Sequence, residues 1–84
     1  MKKYSHKFVE TYEGFLGFGW ERETDEQTLI CYLQMLSDDE LMKTLAARMS
    51  DHELEEVHNL INRLLKNHLN DAEYHRLFLK DDTH

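Results

Sequence analysis

The chain is predicted to be all-α, a small bundle of four to five short helices with a glycine-aromatic loop after the first. Three observations predict it. A hydroxyl residue, then Asp, then Gln or Glu three places after the hydroxyl, recurs every thirteen residues: Thr24-Asp25-Glu26-Gln27, Ser37-Asp38-Asp39-Glu40 and Ser50-Asp51-His52-Glu53. A looser copy is Asn70-Asp71-Ala72-Glu73. Each reads as a capping box, in which the first side chain accepts from an amide of the first turn and the Glu or Gln reaches back to the cap amide. The Asp behind each cap also suits the positive end of the helix dipole. Between the boxes, apolar residues recur at helical spacing. Proline is absent and the three glycines all lie within residues 14–19, so the chain carries one strong backbone break.

Taking the elements in order, Tyr4, Phe8, Val9 and Tyr12 fall on one stripe of a first helix, although their β-branched and aromatic character also suits a strand. Gly14-Phe15-Leu16-Gly17-Phe18-Gly19-Trp20 is an irregular loop. Its three rings have two readings. Phe15, Phe18 and Trp20 either fold inward as a lid on the core or form an exposed partner-binding patch. The second helix is expected over about 25–36, burying Leu29, Leu33 and Leu36 with Ile30 alongside, and the third over about 38–49, burying Leu41, Leu45 and Met49. Each is about 17 Å long. The fourth, about 51–69, carries Leu54, Val57, Ile61, Leu64 and His68 in a 3-4-3-4 seam of the kind that packs along another helix. A last segment spans about 71–79 and a polar tail, residues 80–84, is expected to fray. Breaks at Ser37 and Ser50 rest on caps alone, since no glycine pads either corner.

All 84 residues are expected to form a single domain. One cysteine, Cys31, permits no internal disulfide and fits a reducing, cytoplasmic setting. Mid-helix, between Ile30 and Tyr32, it reads as a small packing group. No signal peptide and no membrane span is expected.

The net charge of −7 is uneven: Lys2, Lys3 and Lys7 make the N-terminus basic, whereas residues 21–40 hold seven acids against one Arg. Such a surface repels phosphates, so direct nucleic-acid binding is excluded. A helix-turn-helix reader formed by the third and fourth helices would present Asp51, Glu53, Glu55 and Glu56 to a groove, which the phosphates would expel. The Gly-x-x-Gly-x-Gly spacing lacks a following Lys and is flanked by Glu21 and Glu23, so it is not a phosphate loop.

No nucleophile sits beside an oriented base, and catalysis is not expected. Cofactors are likewise not expected. His52 with Glu56, Glu55 with His58, and His68 with Asp71 and His75 lie at spacings that can ligate a metal on a helix, but they lack a specific motif and read as surface charge pairs. His68, on the seam, reads as a partly buried, hydrogen-bonded histidine.

The stretch Leu36-Ser37-Asp38-Asp39-Glu40-Leu41, followed by Asp51-His52-Glu53-Leu54, resembles two kinds of small bacterial helical regulator. One is the Hha/YmoA type, which binds a nucleoid protein; the other is the Sda type, a hairpin that inhibits a sensor kinase. The resemblance consists of capping residues and leucines, so it carries over no functional residue.

The function expected from the sequence is that of a small non-enzymatic regulatory or adaptor protein that binds another protein. Its contact residues would be Phe15, Phe18 and Trp20 in the loop and Asp39, Glu55 and Glu56 on an acidic helix face. The long helix has more apolar face than its short neighbours can cover, which favours a homodimer. The alternatives are a metal-binding module using His, Glu and Asp side chains, and an acidic decoy of a nucleic-acid-binding protein.

Overall fold

The computed structural model describes residues 6–81, which contain helices and no strand. These are α1 (Lys7–Thr11), α2 (Arg22–Leu36), α3 (Asp39–Arg48), α4 (Asp51–His68) and α5 (Asp71–Glu73), the last continuing as a π-wound segment, Tyr74–Phe78. They divide into two compact units, Met1–Arg48 and Met49–His84. Tyr4, part of the predicted first stripe, lies outside the described residues, as do positions 82–84 of the tail.

The first unit is built on α2, and the face that α2 buries differs from the predicted one. Leu29, Ile30, Leu33 and Leu36 are exposed; Thr28 and Cys31 are the buried residues. The physical reason lies in what covers the helix. Three polar side chains on α2 hold the preceding chain along its length. Asp25 Oδ1 accepts from the Gly19 amide at 2.8 Å, Thr28 Oγ1 from the Gly17 amide at 3.0 Å, and Gln34 Oε1 from the Val9 amide at 2.9 Å. Backbone amides need acceptors when they pack against a surface, so the loop docks on the polar stripe of α2. Val9, 3% exposed, and Cys31, 1% exposed, are the buried apolar residues here, and Cys31 packs as the sequence predicts.

Gln34 does a second job. The Val9 amide is in the first turn of α1, where no intrahelical acceptor exists, and His6 supplies no side-chain cap. Gln34 therefore caps α1 from another helix. Stacking of Phe8 on Tyr12, with centroids 5.4 Å apart, adds an i,i+4 contact to this short helix.

Two of the four capping boxes form. At α4, Glu53 N–H donates to Ser50 Oγ at 3.1 Å and Ser50 N–H donates to Glu53 Oε1 at 3.0 Å. At α5, the corresponding bonds between Asn70 and Glu73 are 2.8 and 2.9 Å. The other two are displaced by stronger local claims. Glu21 occupies the cap position of α2, three residues ahead of Thr24, and Asp25 is taken by the loop. This longer helix keeps Glu23 and Asp25 in the first turn and gains the 2.6 Å Arg22–Glu26 ion pair. Ser37 instead closes α2, its amide donating to Leu33 O at 2.8 Å, and Asp38 caps α3 through a 3.4 Å bond from the Leu41 amide. The breaks at both corners stand; the capping atom at the first has moved by one residue.

These differences make a prediction. Ser50→Ala is expected to lower stability by about 1 kcal/mol, a drop of about 4–8 °C in Tm for a chain of this size. Ser37→Ala and Thr24→Ala are expected to leave Tm nearly unchanged. Thermal unfolding followed by circular dichroism checks all three.

In α3, Leu41 is exposed rather than buried, while Met42 and Leu45 are half-buried, as is Met49 just beyond the helix. In the second unit, the predicted seam of α4 is exposed throughout, His68 included. It is therefore not the partly buried histidine expected. After α4 the chain turns through Leu69 and Asn70 into α5. The π-wound end closes with Leu79 N–H donating to Tyr74 O at 3.1 Å and Asp81 N–H to His75 O at 2.8 Å. Lys80, at φ 57°, makes the left-handed turn that allows this closure.

Candidate partner-binding surface

The loop that follows α1 is held by backbone, which leaves its side chains free. The Thr28 hydroxyl both accepts from the Gly17 amide and donates to the Gly17 carbonyl, each at 3.0 Å, so a single buried side chain satisfies both backbone groups of Gly17. Gly19, at φ +95°, adopts a backbone conformation that disfavours a side chain, and its amide reaches Asp25 from there. Tyr12 adds a bond from its hydroxyl to Phe15 O at 3.2 Å. Between and beyond these ties the rings point to solvent. Phe15 is 63% exposed, Phe18 69% and Trp20 77%. Of the two readings open in the sequence, the inward lid is the one the structure overturns. Gly17 and Gly19 tie the loop to α2, and the three rings stay outside the small core of Val9, Thr28 and Cys31.

Phe18 stands over the first half of α2. A cavity of about 190 Å³ opens between Gly17, Phe18, Thr28, Leu29 and Tyr32. A second, of about 240 Å³, is bounded by Phe18, Leu29, Arg22, Asp25 and Glu26. Phe18 and Leu29 line both. The first is apolar, suited to an aliphatic or aromatic side chain; the second has a charged rim. Leu29 and Tyr32 were expected, from periodicity, to serve the core or to go unremarked. Their part in this surface was legible only as an unusually apolar outer face of α2.

The acids singled out in the sequence are distributed over both units. Asp39 lies in the first turn of α3 in the first unit, whereas Glu55 and Glu56 lie on α4 in the second; all three are exposed. His52 Nε2 lies 3.5 Å from Glu56 Oε2 across one helical turn. His75 Nδ1 lies 4.0 Å from Asp81 Oδ2. Among the described residues, no three His, Cys, Asp or Glu side chains gather where they could hold one metal ion, and no helix is long and apolar enough to cross a membrane.

No family model, no curated protein and no solved structure matches this chain.

Proposed function

We propose that the protein is a small non-enzymatic regulatory or adaptor protein of the cytoplasm that works by binding another protein. The observation that carries this reading is the loop surface. Phe18 and Trp20 are large, exposed rings on a segment tied to α2 by part-buried hydrogen bonds. Exposed apolar surface rimmed by polar groups marks interaction sites. Aromatic side chains are the commonest anchors of interfaces. Tethering the backbone beforehand lowers the ordering cost of association.

The partner best suited to this surface offers an apolar side chain to the Phe18–Leu29–Tyr32 cavity and basic residues to the surrounding acids. Asp25 and Glu26 outnumber Arg22 around the adjoining cavity. Asp39 on α3, and separately Glu55 and Glu56 on α4, are further exposed acids that would steer a basic partner, an effect on association rate more than on affinity. Capture experiments with the full chain test the reading. A protein retained by the wild type, lost with Trp20→Ala and retained with Leu77→Ala supports it. Equal retention by all three sinks it, and so does a partner released wholly by salt while Trp20→Ala has no effect, which is the behaviour of an acidic decoy.

A further inference from the structure

The outer face of α2 carries charged and apolar residues on one line. Arg22, Asp25, Leu29, Tyr32 and Leu36 follow one another at steps of three and four residues, with Glu26 and Leu33 alongside. This is the register of a seam against another helix. The cavities over α2 put both kinds of residue on a single surface. Arg22, Asp25 and Glu26 bound one of them together with Leu29, and Leu29 and Tyr32 line the other, with Phe18 common to both. The line continues beyond them: Leu29, Tyr32 and Leu33 are 50 to 61% exposed, and Leu36 is 38% exposed. From Arg22 to Leu36 it runs about 21 Å, charged at its start and apolar over the rest.

Two features say what covers it. The first is the backbone. The amides from Leu29 to Leu36 are bonded within α2, so the stripe offers no row of donors such as an added strand needs. A helix bonds its own backbone internally and brings only side chains. The second is charge on that same face. Glu26 is paired with Arg22 at 2.6 Å. Asp25 holds the Gly19 amide at 2.8 Å, a neutral partner, and among the described residues no cation pairs with it.

We propose that this face takes an amphipathic helix of the partner protein. Its apolar residues, at i, i+3, i+4 and i+7, lie along Leu29 to Leu36, and a Lys or Arg one or two turns beyond them reaches Asp25. Phe18, bordering both cavities, is where the loop meets that helix. This assignment rests on the loop-surface reading above and adds Asp25, Leu33 and Leu36 to the site.

The probe is a synthetic stapled helix of about 18 residues, about 27 Å long, with leucines at that spacing and lysines at one end. Fluorescence anisotropy against the full chain reads its affinity, and amide chemical shifts read its place. The shifts are expected at Leu29, Leu33 and Leu36. Leu33→Asp, which sets a charge in an apolar contact, is expected to weaken binding about tenfold or more while leaving the circular dichroism unchanged. Asp25→Asn keeps an acceptor for the Gly19 amide and removes the charge. It is expected to weaken the lysine peptide about two- to fivefold and to leave a glutamine version of the peptide unaffected. The proposal is overturned by a scrambled peptide that binds equally well, by shifts confined to α4, or by no binding at sub-millimolar concentration. The captured partner separates this proposal from the reading beneath it. Loss with Leu33→Asp as well as with Trp20→Ala supports the helix groove. A partner lost with Trp20→Ala but held by Leu33→Asp overturns the groove and leaves the loop reading standing, and one held by both variants overturns both.

Discussion

The double variant Phe18→Ala, Trp20→Ala is expected to lose its partner while keeping its helices. Both rings face solvent, so truncating them removes little from the protomer's packing. Phe18 lines both cavities over α2, and without it the apolar slot beside Leu29 and Tyr32 loses its aromatic side. Central aromatic anchors are worth about 2 kcal/mol or more each when truncated, and about 1.4 kcal/mol is a tenfold change in affinity. Loss of at least thirtyfold in Kd is therefore expected, with the helical circular dichroism signal unchanged. Binding within a fewfold of wild type would remove these rings from the interface.

Thr28→Val is expected to be the most damaging conservative substitution in the first unit. It preserves shape and removes only the hydroxyl. That hydroxyl is the partner of both the Gly17 amide and the Gly17 carbonyl, at a position 4% exposed. Leaving a buried polar group unsatisfied costs about 1–3 kcal/mol, which for a chain of this size lowers Tm by at least about 4 °C. Thr28→Ser, which keeps the donor and acceptor, is expected to lie close to wild type. The same variant also loosens the loop, so affinity for the partner is expected to fall without any contact residue having changed. An unchanged Tm in Thr28→Val would mean that the loop is not held by this pair.

The helices were legible because their signals are local. The apolar spacing and the caps at Ser50 and Asn70 depend on residues three or four apart, and nothing nearby competes with them. At Ser37 a second cap-competent residue, Asp38, stood next in the chain and took the role; at Thr24 the helix instead starts three residues earlier, at Glu21, without a side-chain cap, while Asp25 is engaged by the Gly19 amide. The buried face of α2 was not legible for a different reason. Counting leucines assumes that apolar residues face the core. Here the docking groups are the backbone amides of Val9, Gly17 and Gly19, which leave no trace in side-chain periodicity. Asp25, Thr28, Cys31 and Gln34, spaced by threes, were the available sign of a helix face that accepts backbone. The candidate surface follows directly: once that polar stripe is occupied, Leu29 and Tyr32 remain outside with Phe18.

Trp20 is the chain's one tryptophan, so its fluorescence reports on this surface alone. Acrylamide quenching, measured on the free protein and on its complex with the captured partner, shows whether the partner seats on this loop. The expected result is an indole fully open to quencher in the free protein, with emission at the wavelength of a solvated ring, that becomes shielded and blue-shifted in the complex. An indole already shielded in the free protein, or one whose quenching the partner leaves unchanged, would contradict it.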